Sequence, residues 1–251
     1  MAKSNGRQQQ TTELVQAAAP QVPAYLQQYA NEGFGTIREY QSTPRLKVFQ
    51  DPTDEWEVGD VVTAPDMVPI AKYGEPFEVN LLTAWPSWIK WRDRKDQSDT
   101  AVVTETFDKT SDIARCARDL AARTEPYADG KYSYVYAESL NYAIRIEHDG
   151  PARDMIAVVS WSRGSYRVGA RLSGYLGRLK GTSLWSVRLS LHSDKRSNPR
   201  NEVWYQLDYL PAEKLFVAEN RVEETRTIAE AISKMYEART IGVNRDDAID
   251  A

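Results

Sequence analysis

The chain has 251 residues, 41% of them apolar and 27% charged, and a net charge of −4. This balance fits a folded protein with a real core and excludes a disordered or fibrous chain. The single cysteine, Cys116, excludes an intramolecular disulfide and points to a reducing compartment, and with only His148 and His192 beside it no usual zinc-ligand spacing can be drawn.

Taken in order, residues 1–22 are polar and Gln/Ala-rich, ending between Pro20 and Pro23, and read as a mobile arm. Pro23–Tyr29 reads as a short helix, followed by the turn residues Gly33 and Gly35. Arg45–Gln50, Val61–Ala64 and Val79–Ala84 read as short strands set apart by glycines and prolines. Trp85, Trp88 and Trp91 then recur every third residue beside Lys90 and Arg92. Two readings stand for this cluster, a stacking platform and a set of core residues. Asp112–Arg123 reads as an amphipathic helix with Ile113, Cys116, Ala117 and Leu120 on one side, which makes Cys116 a small packing residue.

The second half is more regular. Tyr132–Glu147 reads as one long strand or two short ones, and Met155–Trp161 as a strongly apolar strand. Over Ser165–Lys180 the period becomes helical: Val168, Leu172, Tyr175, Leu176 and Leu179 fall within about 100° of arc, and Gly181 stops the helix. Leu184–Leu191 returns to period two, with Trp185, Val187, Leu189 and Leu191 on one face. His192–Asn201 reads as a polar loop, Val203–Tyr209 as the return strand and Val222–Arg239 as a helix. The expected organisation is an arm (1–22), one domain (23–210), a C-terminal helix (211–240) and an acidic tail (241–251). The order strand, strand, helix, strand, loop, strand matches an oligonucleotide-binding barrel. The fold expected is therefore a β-rich α+β, five-stranded OB-like barrel with its helix between strands 3 and 4 and extra helices and loops around it.

Charge is segregated. Residues 155–200 carry nine Lys or Arg and a single acid, Asp194, a local charge of +8 against −12 for the rest of the chain. On a helix Arg163, Arg167, Arg171 and Arg178 fall within about 80° of arc, with no carboxylate three or four residues away. Lys180, Arg188, Lys195, Arg196 and Arg200 extend the cationic set, and Trp161, Tyr166, Tyr175 and Trp185 lie among them. Cations that track phosphates and rings that stack on bases are the requirements for binding a single nucleic-acid strand without sequence preference.

Chemistry is less well represented. Gly164 and Gly169 have the spacing of a phosphate-binding loop, but Ala170 and Arg171 stand where its Lys and Ser/Thr belong. No G-x-S-x-G, H-E-x-x-H or C-x-x-C motif occurs. The expectation is a binding protein and not an enzyme, with no metal or cofactor. No apolar run reaches the roughly 18 residues of a membrane span, and the N-terminus has no apolar leader core, so a cytoplasmic protein is expected.

The runs VVSWSRGSYRVGARLSGYL (158–176), LWSVRLSL (184–191) and VWYQLDYL (203–210), with PRLKVFQ (44–50) upstream, resemble bacteriophage-type single-stranded DNA-binding proteins. That resemblance covers about residues 44–210. It implies an oligonucleotide-binding barrel that coats single-stranded DNA during replication or recombination, self-associates along the strand and works in the host cytoplasm. It also implies recruitment of replication or recombination proteins through an acidic C-terminus, although the tail DDAID lacks the longer acidic run closing on an aromatic. The competing reading is a phage or mobile-element assembly protein whose basic face meets acidic protein surfaces.

Overall fold

A computed structural model describes residues 43–92, 103–126, 133–179 and 181–238, all within one compact unit. The expected arm, the Pro23–Tyr29 helix and the acidic tail lie outside the described residues.

Ten strands build one curled, open mixed sheet. They are β1 (Arg45–Val48), β2 (Val61–Ala64), β3 (Pro69–Ala71), β4 (Phe77–Arg92), β5 (Val103–Thr106), β6 (Thr124–Pro126), β7 (Ser133–Ile146), β8 (Ile156–Ser162), β9 (Val187–Ser197) and β10 (Val203–Phe216). Their spatial order is β10-β9-β4-β7-β8-β1-β2-β3, with β5 added to β4 and β6 to β7. Every pairing is antiparallel except β1 with β8. Among the described residues three α-helices accompany the sheet: α1 (Asp112–Arg118), α2 (Tyr166–Leu176) and α3 (Val222–Glu237).

The half-barrel agrees with the expected β-rich, barrel-like class, but ten strands replace the five. The excess comes from the length of β4 and β7, whose far ends pair with β5 and β6. The expected strand Val79–Ala84 continues through Pro86 to Arg92. Pro86 is tolerated because it falls between the stretch paired with β9 (Phe77–Asn80) and the stretch paired with β5 (Trp88–Trp91). There β4 is paired only with β7, so the missing N–H disrupts no second ladder. β10 likewise passes the expected boundary at 210, because a register shift between Pro211 and Phe216 absorbs the proline.

The concave face holds the main core. Phe77, Val79 and Leu81 of β4, Tyr142, Ile144 and Ile146 of β7, and Val187, Leu189 and Leu191 of β9 alternate inward, and Val168 and Leu172 of α2 join them. Each such side chain contributes about 1.5–3 kcal/mol on full burial. On the other face α3 presents Ala229 and Ile232 to Leu82, Trp85, Ala143 and Val158. A bulge between Leu81 and Thr83 shifts the phase of β4, so Leu82 and Trp85, three apart, reach that same layer. α1 packs Ala114 and Ala117 on Trp88 and Tyr136, with Cys116 beside them. It ends at Arg118, five residues earlier than expected, and leaves Leu120 79% exposed. Among the described residues no helix is long and apolar enough to cross a membrane.

The curl brings the free edge of β10 to the segment after β1. The side-chain amide of Gln50 accepts from the Tyr205 backbone N–H at 2.9 Å and donates to the Tyr205 carbonyl at 2.8 Å. Trp161 Nε1 donates to the Leu207 carbonyl at 2.9 Å. Two side chains thus satisfy an edge that would otherwise expose strand donors and acceptors.

Two glycines of α2 have opposite roles. A Cβ on Gly169 would lie 3.0 Å from Trp161 Cβ and 3.2 Å from Leu140, so this glycine is where the helix meets the sheet. A Cβ on Gly174 would meet nothing within 4 Å. Gly174→Ala is therefore expected to raise stability by about 0.5–1 kcal/mol through helix propensity alone, read as a higher urea midpoint at unchanged m.

Candidate nucleic-acid interface

α2 carries no acidic residue, and Arg167, Ala170, Arg171 and Gly174 lie on its exposed side. The helix is shorter than expected because Gly177 caps it, so Arg178 lies on the following turn. Arg163 lies in the 3₁₀ turn before it. Its φ is +50°, a left-handed conformation that costs a non-glycine residue about 1–2 kcal/mol, and its guanidinium sits 5.1 Å over the Trp91 ring. Among the described residues Arg167 and Arg178 make no ion pair. The absence of a β-carbon at Gly174 and Gly177 keeps the surface between the arginines low.

The stripe is not free of acid, as its local sequence suggests. Asp208 of β10, buried, accepts from Arg171 through one carboxylate oxygen and from Arg196 at 2.7 Å through the other. Arg196 also pairs with Asp194 at 2.7 Å. Burial works to raise the Asp208 pKa, but hydrogen bonds from Arg171 and the Tyr209 amide, with the two guanidinium charges, hold it below the ordinary aspartate range. A depressed folded-state pKa contributes stability that is present above the unfolded value of about 4 and is lost as pH falls through the folded value. Urea midpoints measured from pH 6 down to pH 2 are expected to fall more steeply for the native chain than for Asp208→Asn.

Several predicted contact residues are placed elsewhere. Trp161, 2% exposed, is a core ring edge-on to Tyr142 at 5.4 Å, and Trp88, 3% exposed, lies beneath α1. Neither has a face to offer a base, and of the three-tryptophan cluster only Trp91 is half-exposed. Trp185 packs against the α3 layer and sits in a 3₁₀ turn (Leu184–Ser186), so the expected strand begins only at Val187. Arg188 is paired with Glu78. Lys90 donates to Glu125 at 2.8 Å and lies 3.8 Å over Tyr134; desolvation opposes its charge, but hydrogen bonds to Glu125 and Tyr136 raise its pKa. The Tyr166 hydroxyl donates to Glu138 at 3.0 Å. The expected loop 192–201 is mostly strand, which makes Lys195 and Arg196 residues of β9, whereas Arg200 lies in the hairpin turn; Lys195 and Arg200 are exposed. Lys180 and the side chain of Arg92 lie outside the described residues.

Two rings of β10 belong to this surface although composition alone did not single them out. Trp204 is half-buried, faces Arg196 across the β9–β10 ladder and donates from Nε1 to Gln206 at 3.1 Å. Its ring lies against Gly164, where a Cβ would stand 3.6 Å away. Tyr209 lies under the Arg171 guanidinium at 5.2 Å and 6.1 Å from the half-buried Tyr175. The alternation Trp204, Gln206, Asp208 in VWYQLDYL was the available signal for Trp204, setting these three on the face away from the Leu207 core position, whereas Tyr209 falls on the Leu207 side and gave no such signal. The ensemble is a band of guanidinium groups bordered by partly exposed rings, suited to holding phosphates and flat aromatic ligands. Compared with known proteins, the chain matches no family model, no curated protein and no solved structure.

Proposed function

We propose that this protein binds single-stranded nucleic acid, DNA foremost, without strong sequence preference, and coats it during replication or recombination. The observation that carries the reading is the exposed side of α2 and the turn after it, which carry no acidic residue of their own and where Arg167 and Arg178 make no ion pair among the described residues. Partly exposed Trp91, Trp204, Tyr175 and Tyr209 at its margins supply stacking faces, which a single strand can use and a paired duplex cannot. The resemblance to phage single-stranded DNA-binding proteins points the same way.

The test is a fluorescence titration with single- and double-stranded DNA and RNA at several salt concentrations. Five cations outside the Asp208 cluster, Arg163, Arg167, Arg178, Lys195 and Arg200, are exposed. Five neutralised phosphates give a log K against log[salt] slope of about −3.5 for single strands. Equal affinity for duplex and single strand, or a flat salt response, overturns the reading. Salt-sensitive self-association with no response to oligonucleotide would favour the assembly-protein alternative.

A further inference from the structure

Resting on the nucleic-acid reading, we infer that Arg163 and Trp91 form a shelf for one nucleobase, with the guanidinium as its outer layer and the indole as its backing. Arg163 is exposed, and its guanidinium lies 5.1 Å over the half-exposed Trp91 ring. A guanidinium is planar and weakly hydrated, so it stacks on a ring with one face and takes a base on the other. The two residues come from separate elements, Trp91 from β4 and Arg163 from the turn between β8 and α2.

Backbone conformation singles out the same residue. Arg163 has φ +50°, in the left-handed region that favours glycine. The glycine of this turn stands one place later, at Gly164, whose φ is not positive. Asp154 and Asn201 share the left-handed conformation, but their short polar side chains tolerate it, and Met67 is half-buried between β2 and β3. Among the described non-glycine residues with this conformation, Arg163 alone is a long exposed cation. The turn itself is fixed by its flanking serines: the Ser162 N–H donates to Ser165 Oγ at 3.1 Å, and the Ser165 hydroxyl donates to the Ser162 carbonyl at 2.9 Å. Neither bond uses the Arg163 side chain, so a glycine at 163 would suit the turn better. An exposed side chain kept against its backbone preference is kept for what it meets at the surface. Stacking on a guanidinium is also sequence-tolerant, because every base has a flat face.

The experiment uses the full chain at low salt and compares an eight-nucleotide oligothymidylate with an abasic strand of the same length, followed by fluorescence anisotropy of an end label. The abasic strand keeps the phosphates and lacks the bases. Arg163→Gly is expected to raise the urea midpoint at unchanged m, because relief of the left-handed strain outweighs one exposed cation–π contact. The same change is expected to weaken oligothymidylate binding about tenfold. Arg163→Lys keeps the charge but not the plane. It is expected to bind the abasic strand as the native chain does and oligothymidylate several-fold more weakly, at the native salt slope. Trp91→Phe is expected to keep most of the binding, and Trp91→Ala to lose about as much as Arg163→Gly. Native oligothymidylate affinity in Arg163→Lys, or an equal loss for both strands in Arg163→Gly, would overturn the shelf and leave the nucleic-acid reading standing. No binding of either strand by the native chain would sink both.

Discussion

A chain carrying Glu147→Gln is expected to lose about 3 kcal/mol of stability, near the lower end for breaking a buried ion pair. Arg145 of β7 is only 1% exposed, on the sheet face that α3 covers. Its Nε donates to Glu147 at 2.8 Å and its Nη2 to the Thr225 hydroxyl at 2.8 Å. Glu224 lies 3.4 Å from the remaining nitrogen but is more than half exposed. Neutralising Glu147 therefore strands a buried guanidinium with only a solvent-screened counter-charge. It also removes one of the three carboxylates on Arg221, which binds Glu147 at 3.0 Å, Asp154 at 2.7 Å and Glu224 at 3.2 Å and so ties the start of α3 to the sheet. Arg145→Met should cost less, because Glu147 keeps Arg221 and the methionine retains apolar bulk. For a domain of this size the Glu147 change should lower Tm by roughly 6–12 °C. Thermal and urea unfolding of both variants would check the order, and a greater loss for Arg145→Met would refute the argument.

The double change Arg167→Ala with Arg178→Ala is expected to weaken single-strand binding about a hundredfold at moderate salt, at about 1–1.5 kcal/mol per lost phosphate contact. Both side chains are exposed and make no ion pair among the described residues, so removing them uncovers no buried partner. Stability should stay within about 0.5 kcal/mol of the native chain. The salt slope should become shallower by about 1.4, two phosphates' worth for a single strand. A loss of affinity with an unchanged slope would mean that these arginines act by something other than phosphate contact. The comparison with Arg171→Ala is informative, because that change removes the same single charge but also strips buried Asp208 of one of its two guanidinium partners and so should cost stability as well.

Local period made much of the scaffold legible. The helical spacing of Val168, Leu172 and Leu176 located α2, a continuous apolar run located β8, and alternation located β9. Pro86 and Pro211 hid the full lengths of β4 and β10, because a proline breaks a strand only where a neighbouring strand needs its N–H, and pairing partners are not a local property. The site was legible as charge but not as geometry. Trp161 follows Ala157 and Val159 on one face of β8, an alternation that sends it inward, yet apolar residues on both faces of that strand concealed which side was core. Asp208 lies 37 residues from Arg171, so no test of i,i+4 neighbours could reveal that it neutralises part of the stripe.

The seam at Gln50 has a mechanical consequence. A closed barrel holds its last strand with a full ladder, so parting it means breaking many bonds together. Here the free edge of β10 is held to the β1 side by the two hydrogen bonds of one amide side chain, worth about 1 kcal/mol each, and to β8 by one indole N–H. The β9–β10 hairpin is in effect hinged on β4 and latched at Gln50. Since that hairpin carries Trp204, Lys195 and Arg200, and β8 leads into α2, the latch sets the spacing between the hairpin's cations and those of α2. Parting the hairpin from that side means displacing these three hydrogen bonds and the Arg171–Asp208 pair instead of a strand.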